Sequence, residues 1–249
     1  MAAVVLSPDT ASILQTFKEK LNKEWKQKAA CGRTYVLTDT LTAWMMKLET
    51  PEPMTNAARL LCAVYANDHR QMFQEMSSNR ISVGDNRCLL VFSMLLELGH
   101  GDLIDIFQKV GIVDKSLASS DYHYDQLRHE FVRYHIPNIG KIIDDVEKNK
   151  WSFCPAPIWP YAQKIFVGGR WVLPFCKRER INEKGGTADL WQVLVREEFV
   201  PPNLRATISG SKLRDKTFGW VWLSRFHCLY VTLQRHTSAN ELSSVTKWL

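Results

Sequence analysis

Two adjacent glycines, Gly185 and Gly186, lie in the run RINEKGGTADLWQVLV (residues 180–195). Glu183 precedes them, the small residues Thr187 and Ala188 follow, and a mostly apolar stretch starts at Leu190. Glycine has no Cβ, so a turn built on it can bring backbone N–H groups against anionic oxygens. A strand, a glycine turn and a second strand would then cradle a phosphate. The same pattern also describes an ordinary β-hairpin, and on pattern alone the hairpin is favoured.

Other chemistry-bearing residues are scattered. His123, His129 and His135 recur at intervals of six residues. Neighbours on one helix face come every three or four residues, so these three cannot converge on a metal from a single helix. A surface or packing role is expected, and no metal site. Six cysteines stand at 31, 62, 88, 154, 176 and 228, with no C-x-x-C pair among them. That spacing fits neither a disulfide framework nor a zinc module. Cys62 and Cys88 sit inside apolar helical patterns, where a reduced thiol behaves as a small hydrophobe, so a reducing compartment is expected. MAAVVLSPD lacks the basic start and apolar core of a secretory signal. The longest apolar stretch, CLLVFSMLLEL (88–98), is too short to span a bilayer. The expected location is the cytoplasm, with the nucleus left open, and no membrane partner.

The elements that must carry these residues change character along the chain. In LSPDTASILQTFKEKLNKEWKQKAACG, Ser7 reads as an N-cap, Pro8 as the first helical residue and Asp9 as a first-turn acid. Ile13, Leu14, Phe17, Leu21 and Trp25 share one face, and Gly32 can end the helix. Further helices are expected over 55–76, 85–99, 101–111, 120–137 and 138–149, with Gly99 and Gly111 as terminators. The 85–99 segment is apolar nearly all round, as a central buried helix is. WSFCPAPIWPYAQ (151–163) then brings three prolines, which break helices and mark a linker or extended crossing. KIFVGGRWVLPF (164–175) reads as a short strand, a turn at Gly168-Gly169 and another strand, and the runs CKRERINEKGG and TADLWQVLVREEFV (187–200) follow, the last a mostly apolar strand.

Charge follows the same division. Residues 1–150 hold 18 Lys and Arg against 19 Asp and Glu, while residues 151–249 hold 14 against 7. The second part is therefore basic. It has no dense Lys/Arg stripe with interleaved aromatics, so nucleic-acid binding is not the favoured reading.

The run WVLPFCKRERINEKGGTADLWQVLVREEFVPPNLR, with WSFCPAPI before it, resembles the start of the kinase-like domain in a group of filamentous-fungal proteins. Those proteins carry a helical N-terminal region followed by a serine/threonine protein-kinase-like domain. The resemblance covers roughly residues 150–218, and the helical part more loosely. It implies a Gly-x-Gly-x-x-Gly-x-Val loop over ATP phosphates. Glu183 falls at the first glycine, Gly185 at the second and Ala188 at the third; Leu190 takes the valine and Trp191 the aromatic. Ser224 falls at the phosphate-pairing lysine, with Arg225 beside it, and Glu241 is the candidate for the helix glutamate. No H-R-D-x-x-x-x-N and no D-F-G motif occurs in the sequence.

The expected fold class is α+β: an all-helical domain over 1–149, then a linker and a partial, mainly antiparallel kinase-like N-lobe over 150–249. The functional expectation is a truncated protein-kinase-like chain with a degraded ATP loop, inactive alone. ATP would bind weakly at Glu183, Gly185, Gly186, Thr187, Ala188 and Leu190. The alternative is a helical module that docks a protein partner, its C-terminal β segment being structural only.

Overall fold

The structure, a computed structural model, describes residues 8–49, 54–66, 81, 84, 86–118, 124–155, 172–180, 190–200, 217–223, 228–234 and 244–245. Among these the fold is mixed, α+β and mostly helical in its first part. The chain divides into two compact units. One is Met1–Lys26 with Val36–Cys154; the other is Gln27–Tyr35 with Pro155–Leu249. The short segment Gln27–Tyr35, which the sequence reading left inside the helical region, thus goes with the C-terminal unit.

In the first unit, α1 (Pro8–Lys20) carries Lys18 and Lys20 in its last turn, where cations suit the negative end of the helix dipole. It runs on into one π turn, Leu21–Trp25. Ile13, Phe17, Leu21 and Trp25 are all buried. They are spaced by four, and in a 3.6-residue helix each such step drifts about 40° around the axis. The wider π turn takes back part of that drift and keeps Trp25 on the buried face. There Trp25 packs against Trp44 (5.1 Å between centroids) and Phe17 (5.9 Å).

Gly32 does not end this helix. The helical run stops at Trp25, and β1 (Lys26–Lys28) and β2 (Thr34–Val36) form a two-stranded ladder. Gly32 lies in the turn between them at φ +84°, its N–H donating to the Ala29 carbonyl. After α2 (Thr38–Met46), β3 (Leu48–Glu49) and β4 (Met54–Thr55) pair antiparallel. The all-helical reading of 1–149 is corrected by these two ladders. Their strands are two or three residues long, too short to leave a period-two pattern.

α3 (Asn56–Tyr65) starts at a capping residue: Thr55 Oγ1 accepts from the Ala58 N–H. α4 (Leu89–Leu98) is the central helix, with Leu89, Val91, Phe92, Ser93, Met94, Leu95 and Leu96 buried. Its one polar core residue is satisfied locally, Ser93 Oγ donating to the Leu89 carbonyl at 2.7 Å. Gly99 closes it at φ +80°, with the Gly99 and His100 N–H groups returning to Leu96 and Leu95. Any side chain at this φ is strained, so Gly99→Ala is expected to lower stability by about 1 kcal/mol. A urea midpoint unchanged from the parent would refute this role. A short 3-10 turn (Gly101–Leu103), α5 (Ile104–Lys109), α6 (Tyr124–Arg133) and α7 (Ile139–Phe153) follow among the described residues of the unit. Their Ile104, Phe107, Leu127, Phe131, Ile142, Val146 and Phe153 join the same core.

The second unit is built on a five-stranded antiparallel sheet in sequential order: β5 (Phe175–Arg180), β6 (Leu190–Arg196), β7 (Thr217–Leu223), β8 (Cys228–Gln234) and β9 (Ser244–Val245). Arg180 pairs with Trp191 across β5 and β6, Leu190 with Leu223 across β6 and β7, and Leu223 with Cys228 across β7 and β8.

Candidate functional site

The glycine-bearing segment falls between two paired strands. β5 ends at Arg180 and β6 begins at Leu190, and the two run antiparallel. Glu183, Gly185, Gly186, Thr187 and Ala188 belong to the 181–189 connection and lie outside the described residues, so their arrangement is not described. Leu190 is the first residue of β6, opposite Leu223 at the end of β7. Ser224, Arg225 and Glu241 lie outside the described residues. β8 resumes at Cys228, so only residues 224–227 join β7 to the strand that pairs with it.

At the other end of the same sheet, the sequence reading missed a cluster of polar side chains within the second unit. Tyr35 is fully buried, with its hydroxyl 3.6 Å from the Cys176 Sγ and its ring edge-on to Phe199 at 5.5 Å. Arg196 donates to Gln27 Oε1 at 2.9 Å. Burial, and next the Cys176 contact, hold the Tyr35 phenol well above its usual range, so it is a neutral hydroxyl, and either it or the thiol can donate in this contact. No local pattern announces this group. Tyr35 and Cys176 are 141 residues apart, and Gln27 and Arg196 are 169 apart.

In the first unit the displaced titratable groups are structural. Asp114 is 6% exposed, and its Oδ1 accepts from the Leu90 and Val91 N–H groups at 2.8 and 3.1 Å. It thereby caps α4 from 23 and 24 residues away in sequence. Its Oδ2 takes a bond from Arg87 Nε at 3.2 Å. Burial outweighs these bonds and pushes the carboxyl up to about 6. Burial pushes the Cys88 thiol up to about 12 and raises Cys154 as well. Both are protonated at neutral pH and poor nucleophiles. Lys150, fully buried, donates to Glu147 Oε1 at 2.6 Å and lies 4.9 Å from the Trp151 ring centre. Tyr124 donates to the same carboxylate oxygen.

His129 and His135 are both exposed, and His123 lies outside the described residues. Among the described residues no three His, Cys, Asp or Glu side chains gather as a metal site. No helix among them is long and apolar enough to cross a membrane. Compared with protein-family models, curated proteins and solved structures, the chain matches none.

Proposed function

We propose that the chain acts by docking another protein, with its helical unit as scaffold, and not by transferring phosphate. The connection between β7 and β8 carries this reading. In protein kinases the lysine-bearing strand leads into a helix whose glutamate pairs that lysine. Here Leu223 and Cys228 are directly paired and four residues join them. Four residues make about one helical turn, which leaves no length for such a helix and its return. Within the helical unit, Leu48 and Val132 are apolar side chains left 62% and 63% exposed, and they are the natural contacts for a partner.

A second reading, a kinase-like N-lobe that binds ATP weakly, is favoured by the antiparallel pairing of β5 and β6 on either side of residues 181–189. The two readings separate in a calorimetric titration of the whole chain with magnesium-ATP. The docking reading expects no saturable heat and no label transfer from ATP to a basic protein substrate. Saturable binding that strengthens in Glu183→Gly would favour the kinase-like loop, because removing a carboxylate relieves its repulsion of the phosphates. For docking itself, a protein cross-linked to the first unit should be lost in a Leu48→Asp/Val132→Asp variant. A partner retained there would remove these residues from the contact.

A further inference from the structure

A single backbone bond brings two cysteines of the second unit close together. The Ala30 N–H donates to the Phe175 carbonyl at 2.7 Å. The next residue along the chain is a cysteine in each case, Cys31 and Cys176. Both thiols are free, and both lie in the same compact unit. A disulfide needs Cα atoms roughly 4–7 Å apart. A backbone N–H···O=C bond holds two chain segments at about 5 Å, so each cysteine stands one residue from a bridging distance. Cys31 is exposed in the turn between β1 and β2, with Gly32 beside it at φ +84°. Surface turns yield more readily than paired strands, so closure asks movement of the turn and not of the sheet.

Cys176 has a different setting. The β5–β6 register passes from Phe175 opposite Val195 to Lys177 opposite Leu194, so Cys176 is the extra residue of a bulge. Bulges re-aim side chains, and here the Cys176 Sγ lies 3.6 Å from the Tyr35 hydroxyl. Arg196, the last residue of β6, acts on the same hydroxyl. Its Nε is buried without a hydrogen-bond partner among the described residues. A thiolate, and equally a sulfur that has gained an oxygen, is stabilised by nearby donors and positive charge. A phenol that keeps its proton and a guanidinium with an unused N–H supply both.

We propose that Cys176 and Cys31 are a peroxide-oxidised pair, in which Cys176 reacts first and Cys31 closes a reversible disulfide. The Cys176 sulfur attacks one oxygen of hydrogen peroxide. The O–O bond breaks, an S–O bond forms, and the thiol proton leaves with the second oxygen as water. The sulfur is thereby oxidised to a sulfenic acid and the peroxide reduced. The Cys31 sulfur then attacks the Cys176 sulfur, the S–O bond breaks, and hydroxide leaves with the Cys31 proton as a second water. Two thiols and one hydrogen peroxide become one disulfide and two waters. The bridge pins the Gln27–Tyr35 segment to the start of β5. The pair involves neither the helical unit nor residues 181–189, so it stands whatever the magnesium-ATP titration gives.

The test uses the whole chain, hydrogen peroxide, and dimedone as a trap for sulfenic acid, read by mass spectrometry. After brief oxidation, alkylation of the remaining thiols and digestion with trypsin, the bridge joins AACGR (29–33) to WVLPFCK (171–177). This species is expected as the main cross-link and should vanish on reduction. In Cys31→Ser the sulfenic acid has no resolving thiol, so dimedone should collect on Cys176 ahead of the exposed Cys62. Adding Tyr35→Phe keeps the ring and removes the hydroxyl, and should slow that labelling roughly tenfold, the effect of one hydrogen bond to a charged group. A variant that only loosened the fold would label faster, not slower. Absence of the AACGR–WVLPFCK species, Cys31 joined mainly to another cysteine, dimedone on Cys62 ahead of Cys176, or undiminished labelling in the Tyr35→Phe variant would each overturn the proposal.

Discussion

Trp25→Ala is expected to cost about 3–5 kcal/mol of folding stability, the range for deleting a large buried aromatic side chain. Trp25 is 1% exposed and closes a three-ring cluster with Phe17 and Trp44. Nothing small can refill that volume, because the surrounding Leu21, Leu41 and Met45 are themselves fully buried. The site also joins α1 to α2: the Trp25 carbonyl accepts from the Leu37 N–H at 2.9 Å, tying the end of the π turn to the residue just ahead of α2. Urea unfolding followed by far-UV circular dichroism measures the loss, as a fall in midpoint at unchanged slope. A loss below about 1 kcal/mol, the mean effect of an arbitrary substitution, would show that the cluster is not the keystone of this unit.

The second large effect is a pH dependence with an unusual sign. The Asp114 carboxyl rises from 3.8 in its solvated state to about 6 when buried. The folded chain therefore holds this proton more tightly than the unfolded chain. Its contribution is most favourable below the unfolded value, falls as pH rises through the interval from about 4 to about 6, and is flat above it. A displacement of about two units corresponds to about 3 kcal/mol. Arg87 opposes the rise only weakly, since its side chain is 44% exposed and its attraction is screened. Asp114→Asn keeps an oxygen for the Leu90 and Val91 N–H groups but cannot titrate. The difference in unfolding free energy between parent and variant is expected to shift toward the parent by up to about 3 kcal/mol as pH is lowered from 7 to 4. A difference that stays flat, or moves toward the variant, rules this account out.

How far the sequence could be read depended on whether the deciding contacts were local. Leu89–Leu98 was legible because it is apolar on every face and ends in a glycine, and the structure gives that helix and that cap. Pro8 as the first residue of α1 was legible for the same reason: start signals act over three or four residues. The end of α1 was not. Lys26-Gln27-Lys28 has no apolar alternation, and the helix is ended by a ladder with Thr34–Val36 and a bond from Leu37. Asp114 carries no local mark of its role, because the helix it caps starts 25 residues before it. For the candidate site, the strands flanking Gly185 and Gly186 were expected and are present, whereas the pairing of β6 with β7 spans a long connection whose length and composition say nothing of register. Tyr35, Cys176 and Arg196 were unreadable for the same reason, each lying far along the chain from its partner.

The assignment of Gln27–Tyr35 to the C-terminal unit has a consequence for synthesis. Tyr35 leaves the ribosome early, but Cys176, whose thiol faces its hydroxyl, is translated 141 residues later. At roughly 5–20 residues per second the wait is on the order of ten seconds. Through that interval the segment is a tethered, unfinished piece of a unit not yet made, carrying the exposed Cys31 with it. A nascent chain halted after α7 would thus contain the described helices of the first unit together with a segment that belongs to the second. A gene fragment begun at the linker would, for its part, encode a sheet that lacks Tyr35 and Gln27.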